Sequence, residues 1–174
     1  WVVTLVYPND PDFGVKATRR IELAADAPSM EILTLYEKTD RNTLDLGVWI
    51  LTQLKEPLAL HARLPIQSNF PQSFQPMSGR LPPSQVFAIR DRLLSLGRDP
   101  MNPHRIGLEV GSVLWMDDTT VLKIDSPRLP YRNYPDNGVS AIVSTEAGPE
   151  GFVQVDMLGP VKQVRKGDVV RQRS

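Results

Sequence analysis

No cysteine occurs among the 174 residues. A disulfide scaffold, a thiolate zinc site and a cysteine nucleophile are therefore excluded. Net charge is also lacking, because 20 Lys and Arg balance 20 Asp and Glu. A dedicated duplex-DNA binder usually shows a strong basic excess, so that class is disfavoured. Histidine is scarce: His61 and His104 are the only two. A zinc site needs three or four close ligands, so no metal and no cofactor is expected. Long apolar runs are missing, and none approaches the roughly 20 residues of a membrane-spanning helix. The phosphate-cradling patterns G-x-x-x-x-G-K-[ST] and G-x-G-x-x-G are absent, as is the nucleophile turn G-x-S-x-G. No catalytic residue is assigned on these grounds, and the reading leans away from an enzyme.

Proline is abundant, at 16 residues, which argues against a helical bundle because interior prolines break helices. Hydrophobic residues make up 41% and charged residues 23%, the usage of an ordinary globular chain. The length suits one domain or two very small ones. The chain opens at Trp1 with neither an initiator methionine nor a signal-peptide pattern. This raises the expectation of the soluble part of a larger or membrane-anchored protein, processed from its anchor. An extracytoplasmic location is the compartment it favours, with any membrane contact made by a segment outside this chain.

The periodicities are mainly those of strands. Trp1–Tyr7 is rich in β-formers, Pro8–Gly14 has turn chemistry, and Val15–Leu23 alternates as a return strand. Met30–Lys38 suits a short helix capped by Ser29 or a strand equally well. Gly47–Leu54 has the composition of a buried strand that takes Trp49 into the core, and Leu58–Ile66 alternates cleanly. After Ser84, the residues Val86, Ile89, Leu93 and Leu96 fall on one helical face, with Gly97 as a stop. That spacing predicts one clear helix over 84–96. Beyond it, Val113–Met116 and Thr120–Ile124 flank an Asp117-Asp118-Thr119 turn. Asn137-Gly138 is a tight-turn pair, and Val139–Ser144 and Phe152–Leu158 flank Glu146–Gly151 as a hairpin.

The fold class expected is α+β and mostly antiparallel β, with a small barrel or sandwich in the C-terminal strands. The organisation expected is an N-terminal β-rich lobe over 1–66, a Pro/Gln/Ser-rich loop or linker over 67–83, and a helix-plus-barrel lobe over 84–174.

Two irregular stretches carry the functional expectation. The segment 67–83 holds Phe70, Phe74 and Met77, which either pin it to the core or insert into a partner. The segment 126–138 holds Tyr131, Arg132 and Tyr134, residue types favoured as interface anchors. The leading expectation is thus a non-catalytic protein-interaction or assembly domain with a protein partner, a homo-oligomer included. The first alternative is a small-barrel binder of single-stranded RNA or DNA. It would use Tyr131 to Tyr134 together with Lys162, Arg165, Lys166, Arg171 and Arg173. The second is a hydrolase using His61 or His104 with Asp117 or Asp118.

Overall fold

The computed structural model describes residues 1–149 and 151–174. Glu150, inside the predicted Glu146–Gly151 turn, lies outside the described residues. The chain forms three main antiparallel sheets. The N-terminal sheet contains β1 (Val2–Asp10), β2 (Val15–Leu23), β3 (Met30–Lys38) and, as its fourth strand, β16 (Val169–Arg173), in the order β1-β2-β3-β16. The Met30–Lys38 ambiguity is thereby settled as a strand.

A second sheet orders β5 (Trp49–Lys55), β14 (Phe152–Leu158), β13 (Ala141–Thr145), β10 (His104–Leu108) and β7 (Phe74–Pro76). A third orders β12 (Val121–Asp125), β11 (Ser112–Met116), β6 (Ala59–Arg63), β9 (Leu93–Leu96) and β8 (Phe87–Arg90). Two short strands, β4 (Leu44–Leu46) and β15 (Lys162–Val164), pair separately.

The inner faces of the second and third sheets share one core. Ile50, Ile106, Leu108, Val143 and Val155 from one meet Leu60, Leu94, Leu96, Val113 and Trp115 from the other. This is a sandwich-like arrangement, and neither sheet closes into a barrel among the described residues. Strands on both sides of 67–83 pair directly: β5 with β14, and β6 with β9 and β11.

The helix expected over 84–96 does not form. The segment is a hairpin of β8 and β9, paired Phe87 with Leu96 and Ile89 with Leu94. Its turn is Asp91-Arg92, with φ of 49° and 63°. Consecutive left-handed residues make the turn that matches strand twist. Leu94 and Leu96 are buried, while Ile89 and Leu93 are exposed, so the buried set follows a period of two and not the helical face. Among the described residues the single helical turn is α1 (Pro135–Gly138), in which Asp136 and Asn137 are also left-handed.

Candidate interaction surface

The loop residues singled out from the sequence divide sharply. Phe70 and Phe74 are buried in this chain's own core, and Met77 packs against Phe70, Val139, Ile142 and Leu158. Phe74 also meets Phe87 edge-on at 5.3 Å. The aromatic residues of 67–83 therefore pin the segment down, and the insertion reading for Phe70, Phe74 and Met77 is corrected. Tyr134 is consumed likewise: its hydroxyl oxygen accepts the Leu129 amide at 2.8 Å, and its ring lies 4.6 Å below the Arg128 guanidinium. Tyr131, by contrast, is fully exposed, with Arg132 exposed beside it.

A network that sequence reasoning did not find fixes this region. Glu109 is buried and accepts from the Ser68 hydroxyl at 2.5 Å, the Asn69 amide N–H at 2.8 Å and the Asn69 side chain at 2.7 Å. Arg128 donates to the same carboxylate at 3.1 Å and to the Gly138 carbonyl at 3.0 Å. A side chain at Gly138 would press on Asn69 and Glu109, and its φ of +120° favours glycine. One buried carboxylate thus ties both proline-rich excursions to the sandwich.

The five C-terminal bases are exposed. Lys162 and Arg171 join Tyr131 and Arg132 around one hollow of about 680 Å³, which has no carboxylate among its lining residues. Arg165 and Lys166 lie outside it, and Arg173 pairs with Glu31 at 3.3 Å.

The histidines do not share a site. His61 bonds Ser95 at 2.9 Å within the third sheet. His104 lies on the second sheet, with its Nε2 3.0 Å from Asp99, a partner the sequence reading passed over. Asp99 also accepts the Met101 amide at 2.8 Å and the Asn102 side chain at 3.1 Å. The bond to His104, helped by these two donors, holds the Asp99 carboxyl down at about 2. Asp117 is taken up by Lys55 at 2.5 Å and by the Thr119 and Thr120 amides, which hold it well below the usual carboxylate range. The expected pairing of either histidine with Asp117 or Asp118 is therefore not formed by Asp117. On the outer face of the second sheet, Asp156 is buried and its pKa is raised by that burial. Gln154, Trp49 and Arg105 oppose the shift. Trp49 is half exposed, correcting its expected core position, whereas Trp115 is buried and donates to the Lys55 carbonyl at 3.0 Å.

The N-terminal hairpin carries a continuous exposed apolar surface. All nine residues of β1 are exposed. They include Val2, Val3, Leu5, Val6 and Tyr7, with Trp1 beside them at 93% exposure. A single exposed apolar residue is ordinary, but a contiguous strand of them is not. Beside β1, Tyr7, Phe13, Val15, Tyr36, Leu44 and Leu46 line a trough of about 810 Å³.

The hairpin is also anchored. The buried Lys38 side chain donates to the Phe13 carbonyl at 2.9 Å and pairs with Asp40. Thr39 donates to Asn9 at 2.6 Å and to the Gly14 carbonyl at 3.0 Å. The signal for this surface was legible in Trp1–Tyr7, where apolar residues occupy both strand faces; alternation reading identified the strand without asking what covers it. No protein-family model matches the chain, and no curated protein matches its sequence.

Proposed function

We propose that this chain is a non-catalytic protein-interaction domain, and that its docking element is the outer edge of β1. The observation that carries the reading is a nine-residue edge strand with every residue exposed and no charged side chain from Val2 to Tyr7. Such an edge presents unpaired N–H and C=O groups that can accept another extended strand. Main-chain hydrogen bonds would supply affinity, and the trough beside Tyr7 and Tyr36 would take side chains.

Three other edges of the fold are blunted, whereas the edge strand β5 is shorter than β1 and ends on the charged Lys55. On β16, Lys162 donates to the Val169 carbonyl at 3.3 Å and Ser126 to the Arg173 carbonyl at 3.1 Å. Strand β7 has three residues and contains Pro76, and β12 carries Lys123 and Asp125. Natural proteins use such features to discourage unwanted pairing. Among the described residues, no side chain hydrogen-bonds to the backbone of Val2–Tyr7.

A photo-crosslinking amino acid placed at Val6, compared with one at the exposed Val121, tests the proposal in cells. Protein adducts from position 6 in excess over position 121 are expected. Equal labelling, or none, contradicts it.

A second reading is favoured by the hollow shared by Tyr131, Arg132, Lys162 and Arg171. Three cations and a free aromatic ring with no lining carboxylate suit the backbone and a stacked base of single-stranded RNA. A gel shift at low salt that weakens as salt rises supports it, and absence of any shift at low salt removes it.

A further inference from the structure

We infer that the strand accepted by β1 is β1 of a second copy, joined antiparallel about a two-fold axis at Thr4. This rests on the reading of β1 as the docking edge and names its occupant.

The argument starts from the backbone. Trp1 and Leu23 exchange hydrogen bonds in both directions, at 3.2 Å and 2.8 Å. In an antiparallel ladder such mutual pairs alternate with pairs whose N–H and C=O groups point away. With Trp1 opposite Leu23, and Val3 and Leu5 opposite Ile21 and Arg19, those residues spend their main-chain groups on β2. The groups of Val2, Thr4 and Val6 therefore face the open edge.

Two copies related by a two-fold axis at Thr4 set Thr4 against the partner's Thr4 and Val2 against the partner's Val6. Every outward N–H on one strand then meets an outward C=O on the other at all three positions. The span ends naturally. The register of β1 shifts between Val6 and Asn9, and Pro8 within that bulge has no N–H to give.

Side chains agree with this register. Trp1 falls opposite the partner's Tyr7 and Val3 opposite the partner's Leu5, so the apolar stripe runs unbroken across the axis. Thr–Thr, aromatic–aromatic and aliphatic pairs are favourable cross-strand neighbours. No charged side chain lies between Val2 and Tyr7, so a strand opposite its own reverse meets no like charge. The acidic tip at Asp10 and Asp12 falls outside the paired span. A two-fold contact of this kind uses the β1 edge of both copies, so it closes at two, and on the far edge the outward carbonyls of Val169 and Arg173 are already occupied.

Light scattering on the eluting purified chain across a micromolar series tests this, with Thr4→Lys and Thr4→Glu variants alongside. The wild-type mass should double with concentration. Each variant alone should stay monomeric, because like charges meet at the axis, and an equimolar mixture of the two should recover the doubled mass. A wild-type chain that stays monomeric throughout overturns the second-copy assignment. So does a pair of variants that each dimerise as well as wild type, since the contact would then lie elsewhere. If the wild type is monomeric while position 6 still crosslinks to a different protein, the docking edge stands and only its occupant is wrong. If position 6 crosslinks to nothing, both fall.

Discussion

Lys38 Nζ donates to the carbonyl oxygen of Phe13 at 2.9 Å from a side chain that is 1% exposed. One buried ammonium thus fastens the tip of the β1–β2 hairpin to the end of β3. Its counterion, Asp40, is held below the ordinary carboxylate range chiefly by the hydrogen bond from Lys38. A depressed carboxylate stabilises the fold above its ordinary pKa and releases that contribution as pH falls through the lowered one. An edge strand held this way is ordered in the free chain, which would reduce the entropy lost in the docking proposed for it.

Replacing that anchor should loosen the hairpin. Lys38→Met keeps most of the packing volume but removes the charged donor, at an expected cost of about 2 kcal/mol. Denaturant unfolding gives the magnitude, and proteolysis within Pro8–Gly14 shows the location. An unchanged midpoint with an uncut tip would mean that the anchor contributes nothing.

The β8–β9 turn offers a test of opposite sign. Arg92 sits at φ 63°, where a side chain costs about 1 kcal/mol that glycine does not incur. Arg92→Gly should therefore raise stability by about 1 kcal/mol in thermal unfolding. In the helix that the spacing of Val86, Ile89, Leu93 and Leu96 predicts, the same change would lower stability by a similar amount.

That segment shows where sequence reading stops. Four apolar residues in a dozen fit a helical face and a hairpin alike. The hairpin prevails because Phe87, Leu94 and Leu96 find the sandwich core, a non-local contact that no local pattern encodes. Asp91-Arg92 also lacks the glycine that announces a tight turn. The alternating Leu58–Ile66 and the β-rich Trp1–Tyr7 were legible because period and composition agreed there. The role of Glu109 was not, because its partners lie about 20 to 40 positions away along the chain.

Glu109→Gln should unfold the region around both proline-rich excursions more easily. The substitution keeps the shape but leaves Arg128 facing a neutral amide, with an expected loss of about 3 kcal/mol. Chemical denaturation measures it. A loss below about 0.5 kcal/mol, the range of an ordinary surface substitution, would contradict the network's structural role.

The Asp99–His104 pair predicts an acid limb. Asp99 titrates at about 2 in the folded chain against 3.8 ordinarily. Its contribution is complete above about pH 4 and disappears as pH falls through about 2. Melting temperature followed over that window should fall less steeply in Asp99→Asn than in wild type. Parallel slopes would show that the pair contributes no pH-dependent stability.

Residue-resolved amide hydrogen exchange in the purified chain, dilute and then concentrated, tests the account of β1 most directly. In dilute solution Val3 and Leu5 should exchange slowly and Val2, Thr4 and Val6 rapidly. On concentration the latter three should gain at least about tenfold protection while Val3 and Leu5 change little, which is the signature of a strand added at the open edge. Val2, Thr4 and Val6 amides that stay fast at every concentration, with protection appearing instead around Tyr131 or nowhere, would contradict it.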